Sequence, residues 1–161
     1  MKKTALIKLI AAGLLFSAAS ATAMAAPAPG QVGLRGDVKV EKTVSENGIQ
    51  KVVLADTSVV VPGDRLVFST YYVNNGNEAV QNFVVTSVLS GAVLLTPESA
   101  DTLDLSVDGG KTFGKLATLT VDDGKGGHRP AVAGDATHVR WTIPAIAPRQ
   151  DGKVEFHAIV R

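Results

Sequence analysis

The chain has 161 residues, 45% of them apolar, 19% charged and none cysteine, a composition that excludes a disordered tail and a fold built on disulfides. The formal charge is +1, and loss of Lys2, Lys3 and Lys8 with the leader described next leaves 13 basic against 15 acidic residues, a charge of −2. That balance excludes a generalised electrostatic grip on nucleic acid or acidic lipid.

Met1-Lys2-Lys3 is a short positive start, and Thr4 to Ala19 is apolar apart from Lys8, Gly13 and Ser17. Ala23 and Ala25 then satisfy the small-residue rule for signal cleavage, which predicts a secretory signal peptide over residues 1–25, cut after Ala25. Cleavage one residue later would set Pro27 after the scissile bond. The apolar stretch is shorter than the roughly 20 residues of a membrane span, and no later segment competes for a bilayer. The expected mature protein is therefore periplasmic or secreted, with no membrane span. Residues 26–34 are Pro/Gly-rich and read as a flexible leader. About 136 mature residues make one domain, which buries roughly two thirds of the surface its unfolded chain exposes.

From residue 35 to 161 the period is two. Val38 and Val40 alternate with Asp37, Lys39 and Glu41, and Asn47-Gly48 signals a tight turn before Val52-Val53-Leu54. After Val59-Val60-Val61 and the punctuation Pro62-Gly63-Asp64, residues 65–73 set Leu66, Phe68, Thr70 and Tyr72 against Val67, Ser69, Tyr71 and Val73. Asn74-Asn75-Gly76-Asn77 ends that strand, and Phe83, Val85 and Leu89 mark the next. Leu103, Leu105 and Val107 precede Asp108-Gly109-Gly110, and Phe113 to Val121 reads as a further strand. Val139, Trp141 and Ile143 alternate with His138, Arg140 and Thr142, and Val154, Phe156, Ala158 and Val160 with Glu155, His157, Ile159 and Arg161. No segment sustains a helical period over 11 residues or so. The pattern predicts an all-β fold, an antiparallel immunoglobulin-like β-sandwich of seven to eight strands. Alternation alone does not separate two packed sheets from a closed barrel.

Each candidate chemical site has a structural explanation. Ser106 to Phe113 matches the Asp-box pattern S-x-D-x-G-x-T-[W/F], whose carboxylate and hydroxyls bond turn amides while the aromatic ring plugs the core. A propeller of such boxes needs several blades of about 40–50 residues, more than this chain holds, so a turn staple is expected. Asp122-Asp123-Gly124-Lys125-Gly126-Gly127 lacks the spaced acidic ligands and closing glutamate of a calcium loop and reads as a solvated hairpin loop. His128, His138 and His157 have no metal-ligand spacing, and the faces of His138 and His157 opposite Trp141 and Phe156 predict exposure. Trp141 itself reads as a core anchor, and so do Phe68 and Tyr72. No G-x-S-x-G elbow, Ser-x-x-Lys pair or isolated carboxylate pair is present. The reading assigns no catalytic, cofactor-binding or metal residues, no cofactor, and no enzyme activity.

Val61-Pro62-Gly63-Asp64 before Leu66-Val67-Phe68, Asn74-x-Gly76 with Ala79, Asn82-Phe83-Val84-Val85, the Asp-box turn, Thr137 to Trp141 and Gly152 to Phe156 together resemble a bacterial extracytoplasmic conserved-repeat domain, Domain of Unknown Function eleven. The likeness covers about residues 36–161. It implies an immunoglobulin-like sandwich used as a structural or spacer module in exported proteins, with no catalytic residues. Ser87, Ser90 and Arg149 depart from the pattern, Arg149 standing where glycine is usual. The expected function is a noncatalytic structural or protein-interaction module of the bacterial cell envelope, its contacts made by open strand edges or by the leader. The alternatives are a periplasmic small-ligand or glycan-binding protein using loops Asn74–Ala79 and Asp122–Pro130, and an exported hydrolase.

Overall fold

The computed structural model describes residues 31–161. The predicted signal peptide, its cleavage point and most of the predicted leader lie outside these residues. Ordered pairing begins at Val32, which lies opposite Asn74, three residues ahead of the domain start expected at residue 35.

Among the described residues ten strands form: β1 (Val32–Glu46), β2 (Ile49–Asp56), β3 (Arg65–Asn74), β4 (Val80–Val88), β5 (Val93–Leu95), β6 (Asp104–Ser106), β7 (Thr120–Asp122), β8 (His128–Pro130), β9 (His138–Ile146) and β10 (Asp151–Val160). Eight of them make two open antiparallel sheets, one ordered β2-β1-β3-β10-β5 and the other β4-β9-β6, and β7 and β8 pair as a separate ribbon. This is the predicted all-β sandwich, without barrel closure.

The longest strand changes partners along its length. β1 pairs with β3 from Val32 to Val40, and with β2 from Lys39 to Glu46. Asn47 and Gly48 both take positive φ, +53° and +80°, the mirror-image turn that suits the right-handed twist of two strands. Val40 is the last buried residue of β1, and every residue from Thr43 to Val52 is exposed, so the far half of the β1–β2 hairpin projects beyond the core.

The core follows the predicted alternation. Leu66, Phe156 and Ala158 point inward from the larger sheet, and Val85, Val139, Ile143 and Leu105 from the smaller one. Phe68 and Phe156 stack with ring centroids 4.6 Å apart. Trp141 is half-buried, 6.1 Å from Phe156, and packs against both clusters of the core, one around Leu105 and Val139, the other around Val80 and Ile146. It is the anchor expected of it. Within the second cluster the inward set changes parity, from Phe83, Val85 and Ile143 to Val80 and Ile146. Asn82, at φ +50°, and Pro144 sit at the crossing, where the ladder between β4 and β9 is interrupted.

Two segments differ from expectation. Residues 113–121 do not form one continuous strand: Gly114 makes a single bridge to Leu105, Lys115 to Leu119 turn through a 3₁₀ helix (Leu116–Thr118), and Thr120–Asp122 pair with β8. A short helix, α1 (Pro97–Thr102), precedes β6, with Pro97 in its first turn and the Thr96 hydroxyl accepting from the Ser99 amide. At six residues it is too short for periodicity to reveal. The run Val59 to Val61, to which no strand is assigned from the sequence, is exposed and leads into a turn in which Gly63 has φ +94°. Asp64 closes that turn by accepting from the Val61 amide at 3.0 Å. That bond, with Lys42 at 3.0 Å, holds the Asp64 carboxyl below the usual carboxylate range.

Candidate functional site

The projecting hairpin exposes four large apolar side chains, Val44, Ile49, Val52 and Leu54. β2 has a strand partner on one side only, and among the described residues no strand pairs with its other edge. Ile49 is 71% exposed, Val52 62% and Leu54 56%. The register puts Leu54 opposite Glu41 and Val52 opposite Thr43 on the outer face, and Val53 opposite Lys42 and Ile49 opposite Glu46 on the other. β2 contains no proline, and among its eight residues only Lys51 and Asp56 carry charge. Asp56 is already engaged by Lys39 at 2.5 Å. An edge of unpaired amides and carbonyls flanked by apolar side chains is a template for an added strand, and this one has few of the charges, bulges or prolines that usually blunt such edges. In the sequence Val52-Val53-Leu54 is simply an apolar stretch after a tight turn; its exposure follows from the length by which the hairpin overshoots the sandwich.

The rest of the outer face of the larger sheet is a ladder of paired charges. Arg65 Nε donates to Glu41 at 3.0 Å, His157 Nδ1 lies 3.0 Å from the same carboxylate, and Glu155 receives Lys153 at 2.8 Å and the Ser69 hydroxyl at 2.6 Å. Those last two bonds hold the Glu155 carboxyl below its ordinary range. Under this cover Val67 and Ser69 are buried although they face outward. His157 is thus half-buried in an ion cluster rather than freely exposed, and His138 is likewise half-buried, with Nδ1 3.0 Å from the Thr137 hydroxyl. His128 is exposed on the ribbon. The three imidazoles stand on three elements, and among the described residues neither ring nitrogen of His157 is bonded to a serine hydroxyl. Glu41 is its partner.

The Asp-box turn is built as its chemistry predicts, except at the ring. Asp108 accepts from the amides of Lys111 and Thr112 at 3.0 Å, and from the hydroxyls of Thr112 and Ser106 at 2.7 Å each. These donors, the Thr112 hydroxyl foremost, drive the Asp108 carboxyl far below the carboxylate range. Ser106 is fully buried and also accepts from the Gly110 amide at 2.9 Å. Gly109 and Gly110 supply the positive φ values, +78° and +86°, that the corner requires. Phe113 does not plug the core: its ring lies under the Arg140 guanidinium, 4.2 Å from ring centroid to the central carbon.

The loop at Asp122 and Asp123 turns its carboxylates onto its own backbone, Asp122 accepting from Gly124 at 2.6 Å and Asp123 from Lys125 at 2.7 Å. Among the described residues no group of three or more His, Asp or Glu converges as metal ligands would. The two loops considered for a small ligand or glycan sit at opposite ends of the sandwich. Asn74–Ala79 meets the β9–β10 turn, where Arg149 donates from its amide to Asn74 and from its guanidinium to Asn77, each at 3.0 Å. The Asp122–Pro130 loop belongs to the ribbon, tied by Arg129 to Asp135 at 2.7 Å near the start of β9. One pocket cannot use both. Arg149 itself takes φ +63°, a left-handed conformation that is uncommon for a residue other than glycine.

No family model, no curated protein and no solved structure matches the chain.

Proposed function

We propose that this protein is an exported, noncatalytic β-sandwich of the bacterial cell envelope that acts as a structural or protein-interaction module, with the open edge of β2 as its contact surface. The observation that carries this reading is the exposed apolar edge of β2, with Ile49, Val52 and Leu54 all more than half exposed on a strand paired on one side only. An extended segment of a partner polypeptide would extend the sheet through backbone hydrogen bonds and bury Val52 and Leu54. Burial of such a side chain is worth about 1.5–3 kcal/mol relative to leaving it in water. The signal-like start of the sequence supports export, and the motif resemblance across residues 36–161 supports a module without chemistry of its own.

Photo-crosslinking in intact cells tests this. A crosslinking amino acid placed at Val52 is expected to give a discrete adduct, and the same group at Thr118, exposed in the 3₁₀ turn outside the sheets, is expected to give none. Leu54→Lys, on the exposed outer face, leaves the fold intact and should reduce the Val52 adduct on the order of tenfold. Equal adducts at both positions, or a Val52 adduct indifferent to Leu54→Lys, would refute the edge as the contact surface.

A further inference from the structure

We propose a second docking site on the other sheet: an extended peptide bearing a carboxylate adds to the free edge of β9 at Trp141–Ile143 and seats that carboxylate on Arg140. The site goes beyond the β2 reading and shares no residue with it.

Three observations meet there. The first is an interrupted ladder. β4 pairs with β9 along nearly its whole length, but β6 on the other side reaches only from His138 to Arg140. Past Arg140, among the described residues no strand covers that side, so alternate backbone groups of Trp141–Ile143 face outward unpaired until Pro144, which has no amide to offer. The added strand would continue the line of β6.

The second is a groove of about 300 Å³ beside this edge, lined by Asp104, Lys115, Arg140, Trp141, Ile143 and Val154 among others. Its apolar wall suits a strand that presents alternate side chains to it.

The third is an unmet hydrogen-bond donor. Arg140 Nε is buried and finds no hydrogen-bond partner among the described residues. A buried donor left unpaired costs about 1–3 kcal/mol, and among the described residues the terminal nitrogens of the same guanidinium also donate to nothing, which leaves them for a ligand's acceptor. The guanidinium is fixed over the Phe113 ring, which orients its planar fork before any ligand arrives. The charge count selects the ligand. Asp104 is the only carboxylate lining the groove, and Lys115 already holds it at 3.0 Å while donating also to the Thr102 carbonyl at 2.7 Å. Two cations against one carboxylate leave a positive charge uncompensated, and a guanidinium pairs with a carboxylate in two parallel bonds.

The test uses the mature protein and a pentapeptide of alternating threonine and valine, acetylated at its N-terminus and ending in a free α-carboxylate, beside the same peptide amidated. Trp141 is the only tryptophan, so its fluorescence reports occupancy directly. The free-carboxylate peptide is expected to give a saturable fluorescence change with amide shifts confined to residues 141–143 and their neighbours. Affinity should fall about tenfold or more on amidation and in Arg140→Gln. Lys115→Gln, at an exposed residue, frees the Asp104 carboxylate to repel the ligand and should weaken binding even if Arg140→Gln does not fold. Leu54→Lys should leave peptide binding unchanged, which separates this site from the β2 edge. Equal affinity for the two peptides, shifts away from β9, indifference to both groove variants, or no response at millimolar peptide would each overturn the proposal.

Discussion

Replacing Phe156 with alanine is expected to destabilise the domain by about 3–5 kcal/mol, the range for removing a buried aromatic side chain from a close-packed core. Phe156 is 2% exposed and lies between the two sheets, stacked on Phe68 at 4.6 Å and tilted against Trp141 at 6.1 Å. It comes from β10, which pairs over nine residues with β3, the central strand of the larger sheet, so β3 is held by that ladder and cannot shift inward to fill the void. The cavity term therefore adds to the lost transfer energy. For a domain of this size the loss should lower the melting temperature on the order of 10 °C or more. Urea or thermal melts followed by circular dichroism would measure it. A loss below about 1 kcal/mol would mean that the two sheets do not meet at this residue.

Asn74→Ala is expected to cost about 3 kcal/mol without removing any apolar contact. Asn74 is fully buried at the end of β3, and its side-chain amide nitrogen donates to the carbonyls of Glu78, Ile146 and Ala147 at 2.7, 3.1 and 3.1 Å. Its Oδ1 accepts from the Gly76 amide at 2.9 Å. One side chain thus joins the β3–β4 turn to the end of β9, and alanine leaves several backbone groups short of partners, each worth about 1 kcal/mol or more. Asn74→Asp should be worse than alanine at neutral pH, because it buries a carboxylate against carbonyl oxygens and removes the donors. Melts of the three proteins check the order, native above alanine above aspartate. An aspartate variant as stable as the native protein would rule out the donor role of this side chain.

The core of the sandwich is legible because alternation and burial share one cause, the two-residue period of a pleated strand. Val139, Trp141, Ile143, Phe156 and Ala158 can be assigned to the interior from spacing alone, and the Asn47-Gly48 turn from its tolerance of positive φ. The misread parts depend on tertiary context. Phe113 to Val121 has strand composition, but its chain leaves the sheet at the Gly114 bridge to Leu105 and is held in a 3₁₀ turn by Leu116 and Leu119 packing on the core. Val52 and Leu54 belong to an apolar stretch, and the overshoot of the hairpin places them in water. The ring of Phe113 looks like a core plug, but its partner proves to be a cation from β9. Arg140 attracts no notice in the sequence, because an arginine alternating with inward residues is the ordinary composition of a solvated face. Its unmet Nε is visible only when every neighbour is in place.

The central claim is that this chain works through open strand edges on a rigid two-layer frame. Residue-resolved amide hydrogen exchange on dilute mature protein tests it most directly. The slowest amides are expected in β3, which has partners along both sides, with slow and fast residues alternating along β2 and unprotected amides within Trp141–Ile143. Uniform protection along β2 equal to that of β3, or a protected edge at Trp141–Ile143, would contradict the claim.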